Sequence, residues 1–279
     1  MHICIAGKNN IAIDVCKYVI DHYPQAHIYA LTNCNDKGTD EWQHSYLKYV
    51  QQEQRVKFSA IEEMYEIDDL VFFSTEYDRI INPQLFHTKK LYNIHFSLLP
   101  AYKGMYPSVW PILNGEKYVG VTLHEIDQGI DTGDIIAQKR FRLLPRETSF
   151  SLYIRLLDEG TKLVIKHIES LINNQYKSYP QSLDGSSYYS KTSIDYANLI
   201  VDLNVTATQL DRQIRAFYFP PYQVAQVYGY AIQGAKIIKE KSMVKPGTII
   251  KETDTMLKLA TIDYNIILYK NNSRVHLPQ

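Results

Sequence analysis

Three polar side chains in the stretch from Leu91 to Gly133 have the types and spacing of an acyl-transfer site. Asn93 and His95 lie two residues apart in the apolar run LYNIHF, and such residues project from the same face of a β-strand. Asp131 follows a second apolar run, in the turn GIDTGD. An amide, an imidazole and a carboxylate can together stabilise an oxyanion, carry a proton and orient the proton carrier. A core histidine and an ordinary turn aspartate are the alternative interpretation.

The motifs around these residues resemble the signature of formyltransferases that use N10-formyltetrahydrofolate. That signature is an N-x-H-x-S-L-L-P block followed by an aspartate in a GxDTGD turn. Here it falls on Asn93, His95, Ser97, Leu98, Leu99, Pro100, Gly104 and Asp131. The resemblance covers the middle of the chain strongly and about residues 1 to 175 in pattern. It implies formyl transfer to a primary amine, with Asn93, His95 and Asp131 as the catalytic residues.

The elements that must position these residues follow an α/β pattern. HICIAG and HIYALTN read as buried strands, and the residues between them have apolar side chains at helical spacing. We predict a Rossmann-like, doubly wound, mainly parallel sheet with a smaller β-rich C-terminal domain. A polar, turn-rich stretch near 175–190 places the boundary between domains 1–177 and 178–279. Residues 149–172 are predicted to form one long amphipathic helix.

Composition limits the classes of partner and compartment. The chain has 279 residues, and 30 basic residues balance 30 acidic ones, which argues against a nucleic acid as the main partner. The three cysteines form no CxxC pair, so we expect reduced thiols and no metal site. Because the sequence opens directly with a strand-like run, we expect no signal peptide, and no apolar run approaches the ~18 residues that span a membrane. We therefore expect a cytoplasmic protein without membrane contact.

Two polar features near predicted strands have a structural and a functional interpretation. Lys8 and Asn9 begin the first helix, where free amides and a partial positive charge suit an anion. A plain helix cap with a solvated lysine explains them equally well. His124 lies within the second apolar run, and we predict a structural role for it.

The folate donor is expected at the carboxyl ends of the strands, where open α/β sheets bind ligands. The family uses the segment after the strand at Leu70 to hold the pterin, largely through backbone groups. The resemblance therefore implies a donor site that includes Phe73, Glu76, Tyr77 and Asp127.

Three features favour a nucleotide-linked amino sugar as the acceptor. The net charge is zero, the loop after the second strand lacks a basic run, and aromatic residues surround the motif. Arg215 suits a pyrophosphate, and Tyr222 can stack on a pyrimidine base. A core at a domain interface explains this cluster about equally well. The predicted substrate-binding residues are Lys8, Asn9, Tyr102, Lys103, Met105, Tyr106, Arg215 and Tyr222.

The sequence therefore predicts an N-formyltransferase that acts on a dTDP-linked amino-dideoxyhexose. The sugar is expected to be of the 4-amino-4,6-dideoxyglucose or 3-amino-3,6-dideoxyhexose type and to serve surface polysaccharide or O-antigen synthesis. The resemblance also implies a homodimer. Methionyl-tRNA formyl transfer, or a non-catalytic nucleotide-binding module on the same fold, are the alternatives.

Overall fold

Two compact units interleave along the chain of this computed structural model, which describes residues 1–197 and 199–271. The first unit contains Met1–Met105, Val119–Phe141 and Arg155–Tyr189. The second contains Tyr106–Tyr118, Arg142–Ile154 and the described residues from Ser190 onward. The single boundary expected after residue 177 does not coincide with this division, because two earlier segments also belong to the second unit.

The first unit is built on a seven-stranded sheet with the order β3-β2-β1-β4-β5-β7-β8. Its strands are β1 (His2–Gly7), β2 (His27–Thr32), β3 (Val56–Phe58), β4 (Leu70–Thr75), β5 (Leu91–His95), β7 (Tyr118–Glu125) and β8 (Ile135–Arg142). The first five pair in parallel, and β7 runs antiparallel to β5. β1 and β4 are almost wholly buried, as expected for central parallel strands covered on both faces.

The helices agree closely with the apolar periodicity of the sequence. They are α1 (Asn9–His22), α2 (Tyr46–Gln52), α3 (Trp110–Asn114), α4 (Ser149–Ile172) and α5 (Ala207–Ala216). α4 has the predicted bounds, and α3 ends as expected at Gly115, whose φ of 69° is left-handed. Short 3-10 helices lie at Ile61–Met64, Pro83–Leu85 and Lys191–Ser193. Within the described residues, no helix is both long and apolar enough to cross a membrane.

A glycine inside α4 permits close packing on the catalytic strand. The position of a Cβ on Gly160 would lie 3.0 Å from Phe96 and 3.3 Å from Ile94. The sequence presents this glycine as a weak point in the helix. The structure gives the reason for it, because a larger side chain would push α4 away from β5.

The second unit contains a five-stranded antiparallel sheet with the order β10-β11-β14-β13-β12. Its strands are β10 (Gln226–Val227), β11 (Tyr230–Lys241), β12 (Ile249–Glu252), β13 (Met256–Leu259) and β14 (Tyr264–Lys270). α5 packs on β11 and begins at Thr206, whose hydroxyl accepts a hydrogen bond from the amide of Gln209. The predicted fold class, a mainly parallel α/β sheet with a smaller β-rich C-terminal part, is therefore confirmed.

The polar stretch near 175–190 is part of the first unit and not a free linker. A short parallel ladder joins β6 (Lys103–Gly104) to β9 (Tyr188–Tyr189). No pattern in the sequence indicates a strand here, since each strand has only two residues. The pairing is long-range, and local periodicity cannot report it.

Replacing Gly7 with alanine should lower the free energy of unfolding by about 1–3 kcal/mol through overpacking. An added Cβ would lie 2.0 Å from the backbone oxygen of Thr75 and 2.4 Å from its Oγ1. These atoms belong to the strand paired with β1 and cannot move without breaking the ladder. Denaturant unfolding followed by circular dichroism measures the effect.

Gly234→Ala is the matched control, because no atom lies within 4 Å of the position of its Cβ. It should change the free energy of unfolding by less than about 0.5 kcal/mol. Equal stability of the two variants would contradict this account of strand packing.

Candidate active site

The structure brings the three predicted catalytic residues together. The Asn93 Nδ2 atom donates to Oδ1 of Asp131 at 3.2 Å, and the His95 Nδ1 atom lies 3.4 Å from its Oδ2. β5 and β7 are antiparallel neighbours, so the turn after β7 returns the carboxylate to the end of β5. The side chains of His95 and Asp131 are 8% and 12% exposed, so the cluster is largely buried.

His124 also belongs to this cluster, although its sequence context favours a purely structural role. Its Nε2 atom lies 3.0 Å from Nδ2 of Asn93 and 3.6 Å from Oδ1 of Asp131. Its Nδ1 atom lies 2.7 Å from the Glu125 carbonyl oxygen. The pairing register of β5 and β7 indicates this contact, since Asn93 and His124 lie directly opposite each other on the two strands. A correct pairing of the two apolar runs is needed to recognise it.

Asp131 is a stabilised carboxylate. Burial alone would raise its pKa, but the charge of His95 and a contact with His124 outweigh that effect. The backbone N–H of Gly104 adds a hydrogen bond of 2.8 Å to Oδ2. Together these partners hold the pKa of Asp131 well below its usual range. The carboxylate therefore stays charged and can orient His95.

Both ring nitrogens of His95 face oxygen atoms. Nδ1 faces the Asp131 carboxylate, and Nε2 lies 2.8 Å from the carbonyl oxygen of Tyr102. A doubly protonated imidazole would donate to both partners. Since Asp131 occupies Nδ1, Nε2 is the nitrogen left for exchange of a proton with a ligand.

Left-handed backbone conformations concentrate among the predicted site residues. In the first unit, Asn9, Glu76, Tyr102 and Asp131 have φ values between 54° and 62°. Non-glycine residues rarely adopt this region, and such strain is typical of functional sites. Local sequence patterns do not reveal it, because the surrounding fold imposes these angles.

The segment from Tyr176 to Tyr189 holds the two loops that carry the cluster. The Gln181 Nε2 atom donates to the carbonyl oxygens of Asp131 and Gly133 at 2.9 and 2.8 Å. The Ser187 Oγ atom accepts the N–H of Tyr102 at 2.8 Å. The sequence interpretation assigned this segment to a domain boundary and so missed its bonds to the active-site loops.

The side chains of two predicted folate contacts have structural roles. Phe73 is 1% exposed and its side chain packs on Tyr92, so a contact of this residue with folate would have to use its backbone. Asp127 is exposed and closes its own turn, because its Oδ1 accepts bonds from the Gly129 amide and the Thr132 hydroxyl. In the sequence, a residue at the end of a buried strand or in a polar turn has the same pattern whether its side chain is structural or binds a ligand.

The side chain of Arg215, the predicted pyrophosphate ligand, has hydrogen-bond partners within the second unit. Its Nε atom pairs with Oδ2 of Asp211 at 2.8 Å, and its Nη1 atom donates to the Glu147 carbonyl oxygen at 3.0 Å. The side chain is 13% exposed. The i, i+4 spacing of Asp211 and Arg215 on one helix was the available signal for this pairing.

Other predicted residues lie at the carboxyl ends of β1 and β4. The Lys8 backbone N–H donates to the carbonyl oxygen of Thr75 at 3.3 Å. The carbonyl oxygen of Glu76 accepts the side-chain amide of Asn33 at 2.9 Å. Tyr77 is half-buried and packs against the apolar cluster beneath this edge. Strands β1 and β4 flank the point where the strand order reverses, the usual ligand crevice of such sheets.

The remaining predicted contacts are exposed or half-buried aromatic and flexible side chains. In the first unit, the ring of Tyr102 stacks on Tyr189 at 6.0 Å between centroids, Met105 is exposed, and Lys103 Nζ donates to Ser186 at 3.2 Å. Tyr106 and Tyr222 belong to the second unit. The hydroxyl of Tyr106 donates to the Lys191 carbonyl oxygen at 3.1 Å. Tyr222 is 55% exposed, and its ring stacks on Phe219 with 5.3 Å between centroids.

The low pKa of Asp131 makes its contribution to stability depend on pH in a defined direction. The carboxyl group titrates below the usual aspartate pKa of about 3.9, so the stabilisation is complete above that value and is lost as the pH falls further. At pH 5, Asp131→Asn should cost about 3 kcal/mol of unfolding free energy, the order expected for breaking a buried pair. The difference from the parent should shrink below about pH 4.

Denaturant titrations between pH 3 and pH 6 measure this difference. Asp127→Asn, in the same turn but with an exposed carboxylate, is the control and should lose much less at pH 5. A cost for Asp131→Asn that stays constant down to pH 3 would contradict the pairing described above.

Comparison with known proteins places this geometry in a family. Residues 17–168 match the family model described as formyl transferase, a range that includes Asn93, His95 and Asp131. Among solved structures, an N-formyltransferase of Helicobacter canadensis in complex with folinic acid and dTDP-3-aminofucose is 38% identical, with a TM-score of 0.88. The match covers 96% of this chain and 99% of that protein.

A second solved structure is equally similar. WlaRD, a sugar 3N-formyl transferase studied in the presence of dTDP and 5-N-formyl-tetrahydrofolate, is 38% identical with a TM-score of 0.89, covering 98% of both chains. A curated methionyl-tRNA formyltransferase of Agathobacter rectalis is 33% identical over 159 residues, or 56% of this chain. The chain spans about half (51%) of the length of that relative. The family model covers more than half of the chain, and the chain therefore belongs to the formyl transferase family.

Proposed function

We propose that the protein transfers the formyl group of N10-formyltetrahydrofolate to the amino group of a dTDP-linked 3-amino-3,6-dideoxyhexose. The observation that carries the proposal is the Asp131 carboxylate, which contacts both Asn93 and His95 and leaves His95 Nε2 for the amine. The choice of a 3-amino sugar rests on the two relatives at 38% identity, both of which concern 3-amino chemistry. The 4-amino-4,6-dideoxyglucose type thereby becomes the second choice of sugar.

The proposed reaction joins the sugar nitrogen to the formyl carbon. The neutral amine attacks that carbon, a C–N bond forms, and the formyl oxygen becomes an oxyanion. His95 Nε2 removes a proton from the attacking nitrogen, and Asp131 stabilises the charged imidazole. The bond from the formyl carbon to N10 then breaks, His95 returns the proton to N10, and the products are the formamide and tetrahydrofolate.

Two contacts must be exchanged when substrates bind. The Tyr102 carbonyl oxygen now lies at His95 Nε2, so the amine has to replace it. The amide nitrogen of Asn93 contacts both Asp131 and His124, so an oxyanion must replace one of these partners. Each exchange keeps a polar partner on a buried group, which limits its cost in free energy. Asn93 remains our proposed oxyanion donor, with His124 the partner that it can release.

Substrate contacts are proposed for the other predicted residues, all of which are exposed or partly buried. For the donor these are Glu76 and Tyr77; for the acceptor they are Lys8, Asn9, Tyr102, Lys103, Met105, Tyr106 and Tyr222. The folate ligands of the two similar structures support the choice of donor. A homodimer, a cytoplasmic location and a role in surface polysaccharide or O-antigen synthesis also stay proposals. We further propose that neither a nucleic acid nor a membrane is a partner.

Methionyl-tRNA formyl transfer is the second candidate, because the curated relatives include methionyl-tRNA formyltransferases. Those matches reach 56% and 76% of this chain, whereas the two sugar-related structures match 96% and 98% of it. Balanced charge of 30 basic and 30 acidic residues also gives little attraction for a polyanion. The sugar nucleotide is therefore the better supported acceptor.

Turnover on a panel of acceptors tests the proposed function. The protein is incubated with N10-formyltetrahydrofolate and 3-amino or 4-amino dTDP-sugars, their UDP analogues, or methionyl-tRNA, and release of tetrahydrofolate is followed. We expect turnover on the dTDP-linked 3-amino sugar, and a loss of about 10²–10⁴-fold in kcat for His95→Asn because the proton carrier is removed.

Other outcomes of the turnover panel would change the proposed function or mechanism. Turnover only on the tRNA would replace the sugar with the second candidate and retain the catalytic cluster. Binding of dTDP without turnover on any acceptor would favour a non-catalytic nucleotide-binding module. Full activity of His95→Asn would contradict the proposed mechanism.

Tyr222→Ala should raise KM for the sugar nucleotide about ten- to a hundredfold and leave kcat nearly unchanged. Base stacking on an exposed aromatic ring contributes about 1–3 kcal/mol, and it acts equally on bound substrate and transition state. Steady-state kinetics at saturating donor measure both constants. Tyr264→Ala, at another exposed tyrosine of the second unit, is the control and should change neither. An unchanged KM for Tyr222→Ala would remove this residue from the acceptor site.

A further inference from the structure

The turn that carries Asp131 is held by a side chain from a distant part of the chain. Gln181 uses its amide nitrogen twice, donating to the carbonyl oxygens of Asp131 at 2.9 Å and Gly133 at 2.8 Å. Its two N–H groups therefore bind the backbone on both sides of Thr132. Glutamine and asparagine are the residue types with two N–H donors on one neutral side-chain nitrogen, and asparagine is one methylene shorter.

The turn needs such support, because Asp131 has a φ of 54°. An aspartate in this left-handed region persists only where surrounding contacts fix it. That conformation directs the carboxylate to His95 Nδ1 and to the amide of Gly104. Relaxation of the turn would move both oxygens of the carboxylate relative to the imidazole.

We propose that Gln181 is a positioning residue that acts on the transfer reaction through Asp131. It clamps the turn so that the carboxylate meets the catalytic imidazole at a fixed angle. The inference rests on the proposed function, which gives Asp131 its part in the reaction. Gln181 itself is not assigned a contact with either substrate.

A purely structural role is the competing explanation. Gln181 could serve only to anchor the segment that continues to β9, which in turn pairs with β6. The exchange rates of three successive backbone amides distinguish the positioning role from the purely structural one. The Gly104 N–H donates to the Asp131 carboxylate, whereas the N–H groups of Lys103 and Met105 donate to the carbonyl oxygens of Ser187 and Tyr189.

Amide hydrogen exchange of the full chain, resolved by residue with NMR, distinguishes them without any substrate. In Gln181→Met, which keeps the length and loses both donors, the Gly104 amide should exchange about tenfold faster because its acceptor is no longer held. The amides of Lys103 and Met105 should keep their rates. Gln175→Met, an exposed glutamine near the start of the same segment, is the matched control and should change none of the three.

Kinetics on the accepted sugar nucleotide give the second readout. Gln181→Met should lower kcat about 10- to 100-fold, since misplacing a catalytic group by about 1 Å has effects of this size, and should leave both KM values within about twofold. In an Asp131→Asn background the same substitution should have almost no further effect. Residues that act through one another are non-additive in this way.

The outcomes are decisive in either direction. Faster exchange at Gly104 alone, together with non-additive kinetics, supports the positioning role. Equal acceleration at Lys103, Gly104 and Met105, an additive loss of kcat, or no change at all would overturn it. If Gln181→Met fails to fold, Gln181→Glu provides a second variant, and failure of both would mean a structural role and would also overturn the inference. Absence of turnover in the parent protein would refute the proposed function, whereas the exchange experiment would still decide the role of the clamp.

Discussion

The buried carboxylate of Asp131 is the constraint on which the active site depends. It has four polar neighbours: the amide of Asn93, the imidazoles of His95 and His124, and the N–H of Gly104. A charge removed from water is tolerated only when its hydrogen-bonding capacity is filled. These neighbours come from three parts of the chain, since Asn93 and His95 both lie on β5. The cluster therefore exists only when β5, β7 and the loop before α3 are all in place.

Satisfying that charge imposes a backbone that the local sequence does not favour. Asp131 and Tyr102 both have left-handed φ angles, and the carbonyl of Tyr102 reaches His95. The free energy for such conformations comes from the surrounding fold. In this protein it is supplied by the segment through Gln181 and Ser187, which bonds the backbone of both loops. The elements that look least structured in the sequence thus determine the geometry of the site.

Buried polar clusters of this kind favour one arrangement of their side chains, but an unpaired member costs free energy, and rigid neighbours limit their rearrangement. β1 and β4 are buried along nearly their whole length, and Gly160 allows α4 to lie close against β5. Asn93 and His95 therefore lie on a strand that is fixed on both sides, while Asp131 and the carbonyl oxygen of Tyr102 lie on loops. This division suits a site in which the imidazole keeps its position and the loop contacts exchange when ligands bind.

Local sequence patterns are enough to predict the parallel α/β sheet, the β-rich C-terminal part and the candidate catalytic residues Asn93, His95 and Asp131. Continuous apolar runs specify buried strands, 3.6-residue periodicity specifies the bounds of α4, and the two motifs lie within short windows. These are local signals, and local signals can be read without coordinates.

The surroundings of those residues depend on long-range contacts and follow from the three-dimensional fold. The structure brings His124 to the cluster through strand register, buries the Phe73 side chain, pairs Arg215 with Asp211, and places Gln181 at the Asp131 turn. The two interleaved units likewise replaced a single boundary. Each of these facts depends on which distant residues meet, and a one-dimensional pattern of polarity contains no information on long-range register, on the depth of burial or on the hydrogen-bond partners of a polar side chain.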